Sequence, residues 1–189
     1  MSELLEHLSS EDPRLGTDYC LSDDDLRRLF KGKVNIISYP EVCCYSSIAQ
    51  LLDPFGCCII LYEANDNYGH WCCVIKRDSP EYGEVVEFFD PYGEYPDDQL
   101  DHISPLYRIN NDEDHPYLLE LLCHSDDPAV WNPVKFQSMT RGVNTCGRWC
   151  ALRIALRMLT INEFKKFVDT AGAGMTRDEL VSLLTDIDL

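Results

Sequence analysis

The longest uninterrupted apolar run, Cys57-Cys-Ile-Ile-Leu-Tyr62, has the length of a strand and no polar alternation, so it predicts a central strand covered on both faces. His70 to Lys76 and Glu84 to Phe89 also have strand character. The turn-forming Asp78-Ser-Pro-Glu-Tyr-Gly83 between them predicts an antiparallel hairpin, and Asn65-Asp-Asn-Tyr-Gly69 supplies the turn before it. Lys33 to Tyr39 predicts a short strand ending at Pro40, and Pro133 to Gln137 a short edge strand. Ser2 and Ser22 each cap a helix, the second running from Asp23 to about Phe30 with acidic residues first and basic residues last. Glu41 to Leu52, Tyr117 to Cys123 and Cys146 to about Leu159 read as helices. Thr160 with Glu163 and Thr176 with Glu179 form capping boxes that open two more. The expected class is α+β: a small mixed or antiparallel sheet flanked by helices, in one domain over 1–189. A helical arm covers about 1–32 and C-terminal helices about 160–189.

Charge then singles out one region. From Ala129 to Asn162 there is no Asp or Glu, while Lys135, Arg141, Arg148, Arg153 and Arg157 give the window +5 in a chain of −17. A thiolate is stabilised in such surroundings, and Cys146 opens the predicted helix inside this window. The overall charge argues against nucleic acid as a partner, since phosphate neutralisation needs a basic surface. No apolar stretch is long enough for a membrane span and no secretion signal opens the chain, so an intracellular setting with reduced cysteines is expected. None of the ten cysteines forms C-x-x-C, so neither a metal nor any other cofactor is expected.

The hairpin gives a geometric expectation. If its turn is symmetric about Pro80, Lys76 pairs with Glu84 and His70 lies opposite Asp90, a base beside its orienting carboxylate. Asn144 or Thr145 can cap the Cys146 helix, placing the sulfur in the first turn, where the helix dipole lowers a thiol pKa. The Cys146 backbone N–H and the Gln137 side chain are candidate donors to an oxyanion. Gly147 leaves room for a substrate backbone. Each piece alone has a plainer reading: a helical Cys is usually core, as Cys150 one turn later is expected to be, and an Asp before Pro forms turns. His7, His102, His115 and His124 lack this context and read as surface or satisfied histidines.

Taken together, these residues resemble the clan of cysteine peptidases that contains adenovirus protease and the SUMO isopeptidases, which orders its catalytic residues His, acid, Gln, Cys. His70-Trp71, Phe89-Asp90-Pro91-Tyr92-Gly93, Gln137 and Cys146-Gly147 match in that order, over about Cys57 to Arg157. Asn144-Thr-Cys-Gly-Arg-Trp149 is similar to the capsid-maturation proteases of virophages and Polinton (Maverick) elements. The resemblance implies an adenain-like fold with His70 as general base, Asp90 orienting it, Cys146 as nucleophile, Gln137 in the oxyanion hole and Trp71 along the substrate's path. Two departures stand out: Asn144 replaces an acid common before the Cys, and the DNA stimulation of adenovirus protease does not suit a chain this acidic.

The function expected on this basis is a viral thiol endopeptidase that cleaves capsid protein precursors. It would be a monomer in the host-cell cytoplasm and virion, with an activating peptide as a further partner. A narrow channel lined by Trp71 would favour small residues, Gly above all, before the scissile bond. Two alternatives remain open from sequence: an isopeptidase of ubiquitin-like modifiers, and an inactive binding module in which the Cys146 helix is only core.

Overall fold

The structure, a computed structural model, describes residues 16–65 and 68–185. The helix expected after Ser2, His7 and residues 66–67 of the expected turn lie outside the described residues. In chain order the elements are α1 (Asp23–Leu29), β1 (Asn35–Ser38), α2 (Ile48–Leu52), β2 (Cys57–Asn65), β3 (Tyr68–Ser79), β4 (Gly83–Phe89), α3 (Pro105–Asn110), α4 (Tyr117–Cys123), β5 (Ala129–Trp131), α5 (Cys146–Ala155), α6 (Ile161–Ala171) and α7 (Arg177–Leu184). No described helix is long and apolar enough to cross a membrane.

The strands form one mixed sheet in the order β1-β2-β3-β4-β5, with β1 parallel to β2, β4 parallel to β5, and antiparallel pairs between. Helices cover both faces, so the α+β expectation holds. On one face Cys57, Ile59, Trp71, Cys73, Ile75 and Phe89 pack against α1, α5, α6 and α7. On the other, Cys58, Ile60, Tyr62, Cys72, Val74 and Phe88 pack against α2, α4 and the 98–103 segment. This double cover explains why β2 reads as a continuous apolar run: no side chain at its centre meets water. Phe89, Phe136, Trp149 and Phe164 form an aromatic cluster beneath α5, with Phe136 and Phe164 edge to face at 5.0 Å. Each such ring contributes on the order of 1.5–3 kcal/mol through burial.

The capping boxes form as expected at Thr160 and Thr176, and the expected Ser22 cap is also a box, with Asp25 as its second member. Other expectations need correction. Glu41 to Leu52 is not one helix: a 3-10 turn over Tyr39–Cys44 precedes α2. Ser46 and Ser47 restart the chain there, Ser46 N–H donating to Gln50 Oε1 (2.9 Å) and Ser47 Oγ accepting from Gln50 N–H (3.2 Å). The edge strand lies at β5, not at Pro133 to Gln137. Beyond β5, Asn132 substitutes for a strand rung: its Oδ1 accepts from Asp90 N–H and its Nδ2 donates to Asp90 O and Val134 O, each at 2.9 Å. Helix α5 stops at Ala155 because Arg153 folds over its end, donating to Leu156 O (3.0 Å) and Leu159 O (2.9 Å).

The β3–β4 register also differs from the expected one. Lys76 pairs with Val86, and Asp78 with Glu84, so the ladder is shifted by two residues. Two is an even number, so every side chain keeps its face.

Candidate active site

Asp90 directly follows β4, and its carboxylate is held from several sides. Oδ1 accepts from His70 Nε2 at 2.8 Å and from Tyr92 N–H at 2.7 Å, and Oδ2 accepts from Gln99 Nε2 at 2.8 Å. Asp90 is fully buried and His70 nearly so. Tyr92 stacks flat on the imidazole, centroids 4.3 Å apart and planes 8° apart, which fixes the ring's orientation. The following Gly93 has φ +77°, and a Cβ there would lie 2.9 Å from Val134, so the Asp-Pro-Tyr-Gly turn closes only with glycine.

Gln137 is placed by the same turn: the N–H groups of Phe136 and Gln137 both donate to Pro91 O, at 2.9 and 3.0 Å. Its side chain is buried; Nε2 donates to Val143 O at 3.2 Å and reaches Tyr92 Oη at 3.4 Å. The longer of these contacts leaves an amide proton for a stronger acceptor. Helix α5 brings Cys146 to the same place. Cys146, Gln137, His70, Tyr92, Gln99 and Cys20 line one cavity of about 210 Å³.

The Cys146 helix is not capped by Asn144 or Thr145. Asn144 Nδ2 instead donates to Asp18 O at 2.8 Å, and Thr145 Oγ1 donates to Asp178 Oδ1 at 2.5 Å. Asp178, on α7, also accepts from Trp149 Nε1 (3.1 Å) and Ser138 N–H (3.0 Å), so one buried carboxylate fixes the residue after Gln137, the residue before Cys146 and the helix itself.

The electrostatic expectation is overturned. The acid-free window does not surround Cys146 with positive charge, because Arg148, Arg153 and Arg157 are spent on structure. Arg153 is buried against Glu87, which Arg77 also binds; Arg148 is buried and donates to Thr185 O at 2.8 Å; Arg157 donates to Phe55 O at 3.1 Å. Lys135 and Arg141 are exposed. A hydrogen bond shared with Cys20, and then burial, push the Cys146 thiol well above its ordinary value, while N–H groups of Trp71 and Gly147 oppose them. The same shared bond lowers Cys20 to about 7. Of the two thiols, the exposed Cys20 is therefore the one that ionises more readily.

Two further expectations are corrected. Trp71 does not line the cavity: it is buried, donates from Nε1 to Leu21 O at 3.0 Å, and packs under α5. Gly147 makes room for the protein itself, since a Cβ there would lie 3.2 Å from both Leu21 and Trp71. His102 is exposed and paired with Glu94 (3.0 Å), as a satisfied histidine should be. It nevertheless lines the cavity and connects to Asp90 through Glu94 and Gln99. His115 and His124 engage Glu120 away from the site. Gln99, Asn132, Asp178 and Cys20 carry no signal in the sequence: Asn132, Asp178 and Cys20 act on residues tens of positions away, and Gln99, nine residues after Asp90, stands in no recognisable motif.

Among the described residues, His70, Cys72 and Asp90 place potential metal-ligand atoms within 4.8 Å of one another. Burial pushes the Cys72 thiol well up, and both Asp90 oxygens are already hydrogen-bonded, so this set suits proton handling better than a cation.

No family model matches the sequence. The chain is 41% identical over 167 residues to the uncharacterised protein V9 of Sputnik virophage, covering 87% of this chain and 93% of V9. The chain belongs to the V9 family. The crystal structure of ASFV pS273R protease superposes with a TM-score of 0.51 at 14% identity, over 93% of this chain and 69% of that one. The V9-family fold is thus shared with a viral protease.

Proposed function

We propose that this V9-family protein is a viral thiol endopeptidase that processes capsid protein precursors during virion maturation. The observation that carries the reading is the buried His70–Asp90 pair at 2.8 Å, whose His70 lines one cavity together with Cys146 and Gln137. With Nε2–H given to Asp90, the basic nitrogen of the ring is Nδ1. Nδ1 takes the Cys146 proton, the thiolate adds to the substrate carbonyl, and the resulting oxyanion is met by Gln137 Nε2 and the Cys146 N–H. The imidazolium then protonates the leaving amine, and water, deprotonated by the same ring, releases the acyl group from sulfur. The raised Cys146 thiol fits a nucleophile that ionises only when substrate displaces Cys20 from its side. The virophage relative and the viral-protease fold support a capsid substrate, cleaved in the host-cell cytoplasm and virion.

The test is cleavage of the capsid precursors encoded with this protein, by wild type and by Cys146→Ala and His70→Ala. Both variants are expected to be inactive. Full activity in Cys146→Ala overturns the proposal, and cleavage of a ubiquitin-like fusion but not of capsid precursors replaces it with an isopeptidase.

A further inference from the structure

Cys20 makes and breaks no bond in the chemistry above, yet the fold holds it beside the nucleophile. Asn144, two residues before Cys146, donates from its backbone to Thr17 O at 2.7 Å and from its side chain to Asp18 O at 2.8 Å. On the other side of Cys20, Leu21 O accepts from Trp71 Nε1, and Leu21 packs on Gly147, the residue after Cys146. The chain on each side of Cys20 is therefore pinned to the chain on each side of Cys146, and both cysteines line one cavity. We propose that Cys20 and Cys146 form a reversible disulfide that holds the nucleophile inactive under oxidising conditions. The regulatory meaning rests on the peptidase reading; the formation of the bond does not.

The two thiols are unequal in the way the reaction requires. Cys20 is exposed and ionises near neutral pH, while Cys146 is buried. With a peroxide as oxidant, the Cys20 thiolate attacks one peroxide oxygen, the O–O bond breaks, and Cys20 becomes a sulfenic acid. The Cys146 sulfur then attacks the Cys20 sulfur, the S–S bond forms, and hydroxide leaves and takes up the Cys146 proton as water. Two thiols are oxidised, one peroxide is reduced, and two waters are released. A thiol reductant reverses the change. Cys150, one turn along α5, is no competitor: its buried thiol donates to Trp71 O at 3.3 Å and burial pushes its pKa well up.

The test treats the full chain with stoichiometric hydrogen peroxide, blocks remaining thiols, and maps linked peptides by mass spectrometry without reduction. A Cys20–Cys146 peptide that disappears on adding dithiothreitol is expected. In Cys20→Ala, Cys146 should instead progress to sulfinic and sulfonic forms that dithiothreitol does not restore. Absence of the linked peptide, or equal over-oxidation of Cys146 in wild type and Cys20→Ala, overturns the inference. Because the readout is the bond itself, it stands whether or not the protein cleaves capsid precursors.

Discussion

His70 and Asp90 meet along a diagonal of the β3–β4 hairpin, not across a rung. The ladder that pairs Cys73 with Phe89 continues to place Cys72 opposite Asp90, yet His70 Nε2 still lies 2.8 Å from the carboxylate. Diagonal neighbours on one face are within reach of long or aromatic side chains. Asp90→Asn keeps an oxygen for His70 but sets an amide against Gln99 Nε2, which is itself a donor. Peptide cleavage should fall by about 10²-fold to 10⁴-fold, read as kcat against a capsid-derived peptide. An unchanged kcat would remove Asp90 from the mechanism.

Asp178 joins three donors, the half-buried Ser138 N–H and the buried Thr145 Oγ1 and Trp149 Nε1, that border both Gln137 and Cys146. Asp178→Ala leaves all three unpaired and should lower unfolding stability by about 3 kcal/mol or more in urea titrations. Cleavage by the folded fraction should drop as well, because the oxyanion donor and the sulfur lose their common anchor. Loss of stability with full specific activity would limit Asp178 to the fold.

The contact with Cys20 is the largest influence raising the Cys146 thiol. Removing it in Cys20→Ala should lower the Cys146 pKa, so more thiolate is present at a given pH. Alkylation of Cys146 by iodoacetamide should therefore quicken at neutral pH, with its inflection moved to lower pH. A shift in the opposite direction would show that Cys20 activates the nucleophile.

Glu113 is buried by its surroundings and raised to about 7 from an ordinary 4.5; its Oε1 accepts only a long bond from Glu63 N–H, and its Oε2 has no hydrogen-bond partner among the described residues. In this window the folded protein keeps a proton that the unfolded chain has lost. The contribution is therefore fully present below the unfolded pKa and is lost as pH rises through the folded one. Glu113→Gln needs no proton to stay neutral. Its melting temperature should exceed that of wild type at pH 8 by more than at pH 5; equal differences at both would show that the carboxyl does not titrate on unfolding.

The sequence by itself determined the elements whose causes are local. The Ser22 cap and the capping boxes at Thr160 and Thr176 lie within four-residue spans, β2 is marked by its own apolar run, and α4 is bounded as expected. It also determined which residue types are present for a thiol chemistry and in what order. The tertiary structure alone decided their setting. The hairpin register depends on how Pro80 and its neighbours turn, and that moved Asp90 from rung to diagonal. The acid-free window looked electropositive because formal charge is counted along the chain, whereas a field depends on where charges end up, and Glu87 neutralises from β4 what Arg153 brings from α5. Cys20 and Asp178 lie 126 and 32 positions from Cys146, separations that no spacing rule spans. Only packing of the 16–21 segment and of α7 against α5 brings them to the sulfur and the helix that carries it.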